Sequence, residues 1–178
     1  QDPARSGQEP NREGGEEAWD QRLNDLCMAQ ALRGHCLAQQ SYGARLEALA
    51  IAAPNAPAII CDDDQINYRQ YRHAAAVFAH KLQALDCKGK RIVVLMGNSI
   101  EMSIAIYAIW AAGGVLVLLN PMYTESELGP LIEDAEPCAI ICADVLQDKV
   151  SALADAKGVD NVVILGPTAI IYTDLLAA

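Results

Sequence analysis

Basic residues are scarce in this chain of 178 residues, in which 13 Lys and Arg stand against 23 Asp and Glu, for a formal net charge of −10. A nucleic-acid-binding surface needs clustered cations to displace phosphate counterions, and the sequence has no basic stripe. The composition therefore argues against a nucleic acid partner. Apolar runs are short, and none approaches the roughly 20 residues that are needed to cross a bilayer. No charged leader precedes an apolar segment either. We expect no membrane span and a cytoplasmic location.

Patterns typical of metal sites and of nucleophiles are missing as well. The histidines His35, His73 and His80 are not paired with a Ser or Cys in an arrangement typical of a nucleophile. The acidic triplet Asp62–Asp64 lacks the spaced oxygens and the glycine of a calcium loop, so we interpret it as a hairpin turn. The segment Lys88–Arg91 lacks the frame of a phosphate loop and precedes a strand, which favours a surface turn. We therefore expect no metal site.

The cysteines form no Cys-x-x-Cys pair, and most of them lie in apolar runs. This pattern favours reduced thiols over a role in a disulfide or a metal site. The residues are Cys27, Cys36, Cys61, Cys87, Cys138 and Cys142.

The chain divides by composition into three parts. Residues 1–16 are polar and acidic, and we expect them to form a disordered tail, since six acidic residues fall within the first 20 positions. Apolar residues at helical spacing, from Trp19 to Leu32, predict an extra amphipathic helix within residues 17–39. Residues 40–178 carry enough apolar side chains to bury one core.

The apolar pattern of the third part predicts an α/β fold. Val93–Met96 and Val115–Leu119 are continuous apolar runs of strand length with one helix between them, as in a βαβ unit of a parallel sheet. Further strands are predicted at Cys138–Ala143 and Val162–Leu165, and a short strand with its return at 58–68. We expect a parallel-rich sheet of about five strands with helices on both faces, preceded by the extra helix.

Four strand-to-helix junctions share one local motif. Each has a short polar residue followed three positions later by Glu or Gln, the pattern of a capping box that satisfies two free backbone donors. The pairs are Asn67 with Gln70, Asn98 with Glu101, Thr124 with Glu127, and Asp144 with Gln147. They predict helix starts near residues 68, 99, 125 and 145. An anion site at Asn98 is the alternative, but Glu101 already occupies the place that an anion would take.

Asn120, Pro121, Met122 and Tyr123 form the predicted substrate-side loop. They follow an apolar run that we expect to be a central strand, and ligands of such sheets bind beyond the carboxyl ends of the strands. The alternative is a rigid turn that delivers the cap at Thr124.

Six segments of the chain, taken together, resemble a known family. They are Pro54–Ala58, Asn67–Tyr71, Gly97–Glu101, Ala111–Gly114, Leu119–Thr124 and Glu127–Leu128. In this order and spacing they resemble the amino-terminal part of the adenylate-forming ligases, which are the AMP-forming acyl-CoA synthetases and their relatives. The resemblance covers about residues 40 to 165 and implies that residues 40–178 form the α/β subdomain of a ligase amino-terminal domain.

The resemblance implies a two-step reaction for the parent enzyme. A carboxylic acid and ATP, with Mg²⁺, give an acyl-adenylate and pyrophosphate, and CoA then displaces AMP to form the acyl-CoA. Asn120-Pro121 followed by Tyr123-Thr124 is similar to the CoA-ligase branch rather than to the adenylation domains of peptide synthetases.

The chain lacks the segments that carry catalysis in that family. The Ser/Thr/Gly-rich loop ending in Pro-Lys-Gly, the Tyr-x-x-Thr-Glu segment, the ribose-binding Asp and the Lys of the lid have no counterpart. We therefore expect no catalytic residue in this chain, and interpret it as an amino-terminal fragment that is inactive in isolation. We expect it to associate with the remainder of its enzyme or with itself. The alternative is a stand-alone α/β interaction module without catalysis.

Overall fold

The computed structural model describes residues 42–166. The predicted acidic tail (1–16) and the predicted extra helix (17–39) lie outside the described residues. The described helices are α1 (Tyr42–Ala52), α2 (Tyr68–Ala84), α3 (Ile100–Ala111), α4 (Glu125–Ala135) and α5 (Gln147–Lys157). The described strands are β1 (Pro57–Cys61), β2 (Asp64–Asn67), β3 (Arg91–Leu95), β4 (Val115–Leu118), β5 (Ala139–Cys142) and β6 (Val162–Ile164). No helix in this part of the chain has the length and apolar character to cross a membrane.

Four strands form one parallel sheet in the order β4-β3-β5-β6. The register places Ile92 of β3 beside Leu116 of β4 and Ala139 of β5. Strands β1 and β2 pair with each other in an antiparallel hairpin instead. Among residues 42–166 the sheet therefore has four strands rather than about five, because the hairpin strands form a sheet of their own.

Alternate residues of β3 point to opposite faces of the sheet and enter two different cores. Ile92 and Val94 pack in a core with α2 and α3, whereas Val93 and Leu95 pack in a core with α4 and α5. All four side chains have 0% exposure, as expected for a central strand covered on both sides. The predicted α/β class, with a parallel sheet and helices on both faces, is confirmed.

Strand β4 lies at one edge of the sheet, with β3 as its neighbour. Val115 and Leu118 are 48% and 50% exposed. Within the described residues, the prediction that this apolar run is a central strand is therefore wrong. A continuous apolar run indicates burial between layers, but it does not show whether a second strand lies beside it.

The capping boxes predicted at the starts of α2 and α4 are present as hydrogen-bonded pairs. Asn67 Oδ1 accepts from the Gln70 backbone N–H at 2.9 Å, and Gln70 Oε1 accepts from the Asn67 N–H at 3.0 Å. The Glu127 carboxylate accepts from the backbone N–H and the hydroxyl of Thr124, both at 2.8 Å. These bonds, the backbone one first, hold the pKa of Glu127 below its usual value.

The cap of α3 differs from the prediction. Ser99 rather than Asn98 has the extended cap conformation, and its Oγ accepts from the Met102 N–H at 3.1 Å. Helix α3 begins at Ile100, so Glu101 is its second residue rather than its third, and a box with Asn98 does not form. Asn and Ser are both strong caps, so the sequence alone does not distinguish two adjacent candidates.

The start of α5 also differs. A 3₁₀ turn, Asp144–Leu146, precedes the helix, which begins at Gln147 rather than near residue 145. Asp144 Oδ1 accepts from the adjacent Val145 N–H at 2.8 Å. Asp144 therefore bonds to the local backbone of the turn, as short polar side chains often do, and the predicted box with Gln147 does not cap α5.

Candidate functional site

The carboxyl ends of β3 and β5 form the switch point of the sheet. The chain leaves β3 for α3, which packs on one face, and leaves β5 for α5, which packs on the other. Adjacent parallel strands whose connections diverge in this way leave a crevice at their carboxyl ends. Open α/β sheets bind their ligands in such a crevice.

A cleft of about 200 Å³ occupies this crevice, and we call it the switch-point cleft. Its walls come from the ends of β3, β5 and β6. The lining residues are Met96, Gly97, Asn98, Ser99, Glu101, Ala143, Asp144, Leu165 and Gly166. Two predicted caps therefore meet at one cleft, because Asn98 and Glu101 from one of them and Asp144 from the other all line it.

Two carboxylates give the switch-point cleft its chemical character. Glu101 lies in the first turn of α3 and is 9% exposed, and no hydrogen bond or ion pair joins its side chain to another residue of the described part. Asp144 accepts the hydrogen bond from Val145 N–H. The described lining contains no Lys or Arg. The cleft can therefore accept hydrogen-bond donors or a cationic group, and it disfavours a phosphate, since like charges repel.

Gly166 is a wall residue that the sequence pattern does not assign to any site. A Cβ atom built on Gly166 would lie 2.9 Å from Cγ and 3.0 Å from Oδ2 of Asp144, which is closer than side chains pack. The segment after β6 therefore reaches the Asp144 carboxylate only because it has no side chain there. The sequence signal is the pair Gly166-Pro167, which is typical of a strand end and does not indicate what lies beside it.

The predicted substrate-side loop lies apart from the switch-point cleft. Asn120 Oδ1 accepts from the Met122 N–H at 2.9 Å, and the Asn120 carbonyl accepts from the Tyr123 N–H at 3.2 Å. The Tyr123 carbonyl accepts from Lys149 Nζ. With Pro121 inside it and Met122 85% exposed, the loop is a locally hydrogen-bonded turn ahead of α4. Its role as a ligand-side segment stays a prediction.

The other polar candidates have local structural roles. Asp62 and Asp63 form the exposed turn between β1 and β2. In the basic turn before β3, Lys90 pairs with Asp86 at 2.9 Å, and Gly89 has a positive φ of 72°. Among residues 42–166 no cluster of three or more His, Cys, Asp or Glu side chains could hold a metal ion.

None of the described histidines and cysteines is among the residues that line the switch-point cleft. His73 and His80 lie on α2, half-buried and exposed respectively. The described cysteines, Cys61, Cys87, Cys138 and Cys142, are free thiols. His35, Cys27 and Cys36 lie outside the described residues.

Residues 46–174 match the AMP-binding enzyme family. The match covers most of the chain, so the chain belongs to this family, whose members are adenylate-forming ligases.

Curated relatives include both CoA ligases and peptide synthetases. The medium/long-chain-fatty-acid–CoA/3-oxocholest-4-en-26-oate–CoA ligase of Mycobacterium marinum is 32% identical over 117 residues, 64% of this chain and 21% of the relative. The long-chain-fatty-acid–CoA ligase of Bacillus subtilis is 36% identical over 97 residues, 52% of this chain and 17% of the relative. The nonribosomal peptide synthetase ivoA of Emericella nidulans is 30% identical over 120 residues, 67% of this chain and 7% of the relative. The chain therefore spans 7% to 21% of the length of these relatives.

Solved structures share the fold. ATP-bound MatB from Rhodopseudomonas palustris is 32% identical with a TM-score of 0.65, over 76% of this chain and 27% of that chain. The inhibitor-bound N-terminal domain of FACL13 from Mycobacterium tuberculosis is 26% identical with a TM-score of 0.64, over 76% of this chain and 35% of that chain. The parallel sheet and its helices therefore correspond to part of an acyl-CoA synthetase amino-terminal domain.

The described lining of the switch-point cleft does not fit a nucleoside triphosphate. MatB is bound to ATP in its structure. In this chain the described lining of the switch-point cleft contains Glu101 and Asp144 but no Lys or Arg, whereas a triphosphate is held by cationic side chains. No step that involves a triphosphate is therefore assigned to the switch-point cleft.

Proposed function

We propose that this chain is part of an AMP-forming carboxylate–CoA ligase and supplies one wall of its amino-terminal domain. The observation that carries the proposal is the family match over residues 46–174, supported by a sheet shared with acyl-CoA synthetase structures. Two relatives named as fatty-acid–CoA ligases, at 32% and 36% identity, support the choice of a carboxylic acid substrate.

The reaction of the whole enzyme runs in two steps. The acid and ATP, with Mg²⁺, give an acyl-adenylate and pyrophosphate, and the CoA thiolate then displaces AMP. Such catalysis depends on positioning the reactants and on neutralising developing charge. Residues 42–166 contribute rigidity to this, because β3 and both of its helical layers are densely buried.

The turn after β4 supports CoA rather than a carrier protein as the acyl acceptor. Asn120-Pro121 followed by Tyr123-Thr124 is similar to the CoA-ligase branch of the family, and peptide-synthetase adenylation domains more often have Asp-Pro and Tyr-Pro. In this chain Asn120 closes the turn through its amide oxygen. We propose that the turn lies beside the substrate region of the assembled ligase without taking part in the chemistry.

The chain alone is proposed to be inactive and to act as a scaffold. Its 178 residues contain no Pro-Lys-Gly segment to grip the phosphates. Strand β4 offers its outer edge, with half-exposed Val115 and Leu118, for pairing with a further segment of the ligase or with a second copy.

Exchange of labelled pyrophosphate into ATP tests this proposal. The purified chain is assayed with a panel of carboxylic acids of different chain length and aromatic character, beside a full-length CoA ligase as the positive control. We expect background exchange from the chain with every acid. Robust exchange that depends on any acid would contradict the scaffold role.

A second test separates the ligase from an interaction module. The reading frame that follows codon 178 is sequenced, and we expect a Ser/Thr/Gly-rich segment ending in Pro-Lys-Gly. A stop codon at that point, together with a monomeric chain that binds no ligase segment, would overturn the proposal in favour of a module.

A further inference from the structure

A pair of thiols lies at the amino end of the sheet, on the edge opposite the switch-point cleft. The S–H group of Cys138 donates to Cys87 Sγ, and the two sulfur atoms are 3.1 Å apart. Cys87 lies in the turn before β3, and Cys138 directly precedes β5. A disulfide has a sulfur–sulfur distance of about 2.05 Å, so closure needs a movement of about 1 Å.

The backbone holds both cysteines in place. The Lys90 N–H donates to the Cys87 carbonyl at 3.1 Å, and the Cys138 N–H donates to the Arg91 carbonyl at 2.9 Å. Lys90 and Arg91 are adjacent residues at the start of β3. The backbone on both sides of the thiol pair is therefore hydrogen-bonded to the start of β3, which keeps the two sulfur atoms close to each other.

Only one of the two thiols is open to small oxidants. Cys87 has 0% exposure, whereas Cys138 is half-buried and lines a cleft of about 510 Å³ beside Lys90 and Arg91. Burial, and then the hydrogen bond with Cys138, raise the pKa of Cys87 to about 12. Cys87 therefore stays protonated near neutral pH, and Cys138 is the thiol that an oxidant in the cleft meets first.

We propose that Cys87 and Cys138 form a reversible disulfide when the protein meets hydrogen peroxide. The thiolate of Cys138 attacks one peroxide oxygen and the O–O bond breaks, which gives a sulfenic acid and, with the thiol proton, one water. The sulfur of Cys87 then attacks the Cys138 sulfur, the S–S bond forms, and the departing hydroxide takes the Cys87 proton as a second water. Two thiols and one peroxide thus give one disulfide and two waters.

The remaining described cysteines lack such a partner. Cys142 lies on β5 in the core with α4 and α5, and burial raises its pKa to about 11. Cys61 Sγ lies 4.0 Å from the Asn98 carbonyl. The disulfide would join the starts of β3 and β5, which are neighbouring strands, and would leave the switch-point cleft at the other end unchanged.

Peptide mapping after peroxide treatment tests the pair. Full-length protein is treated with hydrogen peroxide at a slight molar excess, free thiols are blocked with N-ethylmaleimide, and the protein is digested with trypsin without reductant. Cys87 falls in the peptide 82–88, and Cys138 in the peptide 92–149, which also contains Cys142. We expect one linked species of these two peptides, which dithiothreitol separates.

Three variants assign the bond. Cys142→Ala should keep the linked species, whereas Cys87→Ala and Cys138→Ala should lose it. In the untreated state all variants should elute from a gel-filtration column at the same volume as the parent chain, which shows that they are as compact as the parent. Loss of the link in Cys142→Ala, or full alkylation of Cys87 and Cys138 after peroxide is consumed, would overturn the proposal.

A stability readout accompanies the mapping. The bond closes a loop between residues 51 positions apart. Restricting the unfolded chain in this way should raise the melting temperature by on the order of 10 °C without reductant. The rise should be absent in Cys138→Ala, and an equal rise in that variant would show that the gain does not come from a bond between Cys87 and Cys138, against the proposal.

Discussion

The phenol hydroxyl of Tyr71 donates a 3.0 Å hydrogen bond to the backbone carbonyl of Ser103 and so joins α2 to α3. Tyr71 is 7% exposed, and its ring packs edge-on against Tyr107 at a centroid distance of 5.2 Å. The substitution Tyr71→Phe keeps the ring contact and removes the hydrogen bond. We expect it to lower the free energy of unfolding by about 1 kcal/mol, measured by urea denaturation. The matched control is Tyr107→Phe, which should cost less than half as much.

The same hydroxyl makes stability depend on alkaline pH. Burial, and then Tyr107, raise the pKa of Tyr71 above its usual value of 10.0. The folded state therefore keeps a proton that the unfolded state loses, so the contribution of Tyr71 is complete below pH 10 and is lost as pH rises through the folded pKa. The advantage of the parent chain over Tyr71→Phe should vanish near pH ~11, with a slope approaching about 1.4 kcal/mol per pH unit. A constant difference between pH 8 and pH 11 in urea titrations would contradict this.

Substitutions of the two adjacent residues before α3 should distinguish the observed cap, Ser99, from the predicted cap, Asn98. Ser99→Ala removes the acceptor of the Met102 N–H and should cost about 1 kcal/mol. Asn98→Ala should cost no more than a few tenths of that, because Asn98 is exposed and is not the cap. Chemical denaturation of both variants measures the loss in the free energy of unfolding. Equal losses in the two variants would contradict the assignment of Ser99 as the cap.

Two glycines of the switch-point cleft should respond in opposite ways to a methyl group. Gly166→Ala places its Cβ atom against the Asp144 carboxylate and should destabilise the fold by about 1–3 kcal/mol. Gly97→Ala meets no atom within 4 Å and should be neutral or slightly stabilising. Thermal unfolding measures both. Adding Asp144→Ala to Gly166→Ala should recover part of the loss if the clash is its cause.

The outer edge of β4 should mediate self-association of the isolated chain. Leu118 is 50% exposed on this edge strand, and Leu118→Lys places a charge where a second strand would pair. We expect the apparent dissociation constant to rise at least about tenfold by sedimentation equilibrium. Met122→Lys is the control, because Met122 is 85% exposed in the turn beyond the strand. A parent chain that is strictly monomeric at all concentrations would refute this.

Local sequence patterns predict the elements of this fold well and their arrangement less well. The apolar run at Val93–Met96 overlaps β3, and Asn67 and Gln70 mark the start of α2, because a cap depends only on residues within one turn. The edge position of β4 does not follow from its own residues, since pairing partners come from distant parts of the chain.

In the candidate site, too, the sequence predicts the local elements but not how they come together. Glu101 and Asp144 are each assigned by sequence to a local cap, 43 positions apart, and the order β4-β3-β5-β6 brings both into one cleft. Gly166 joins them only because β6 lies next to β5. Such a meeting depends on strand order, which no periodicity within a single segment encodes.

The alternation of side chains along β3 couples the stability of the two helical layers. Ile92 and Val94 hold one core and Val93 and Leu95 the other, so both cores share a backbone segment that is hydrogen-bonded to β4 and β5. A fluctuation that releases either layer from the sheet exposes the backbone hydrogen bonds of β3, and the opposite layer packs against the same strand. We therefore expect the two layers to unfold as a single cooperative unit, with partial opening confined to segments that do not touch β3.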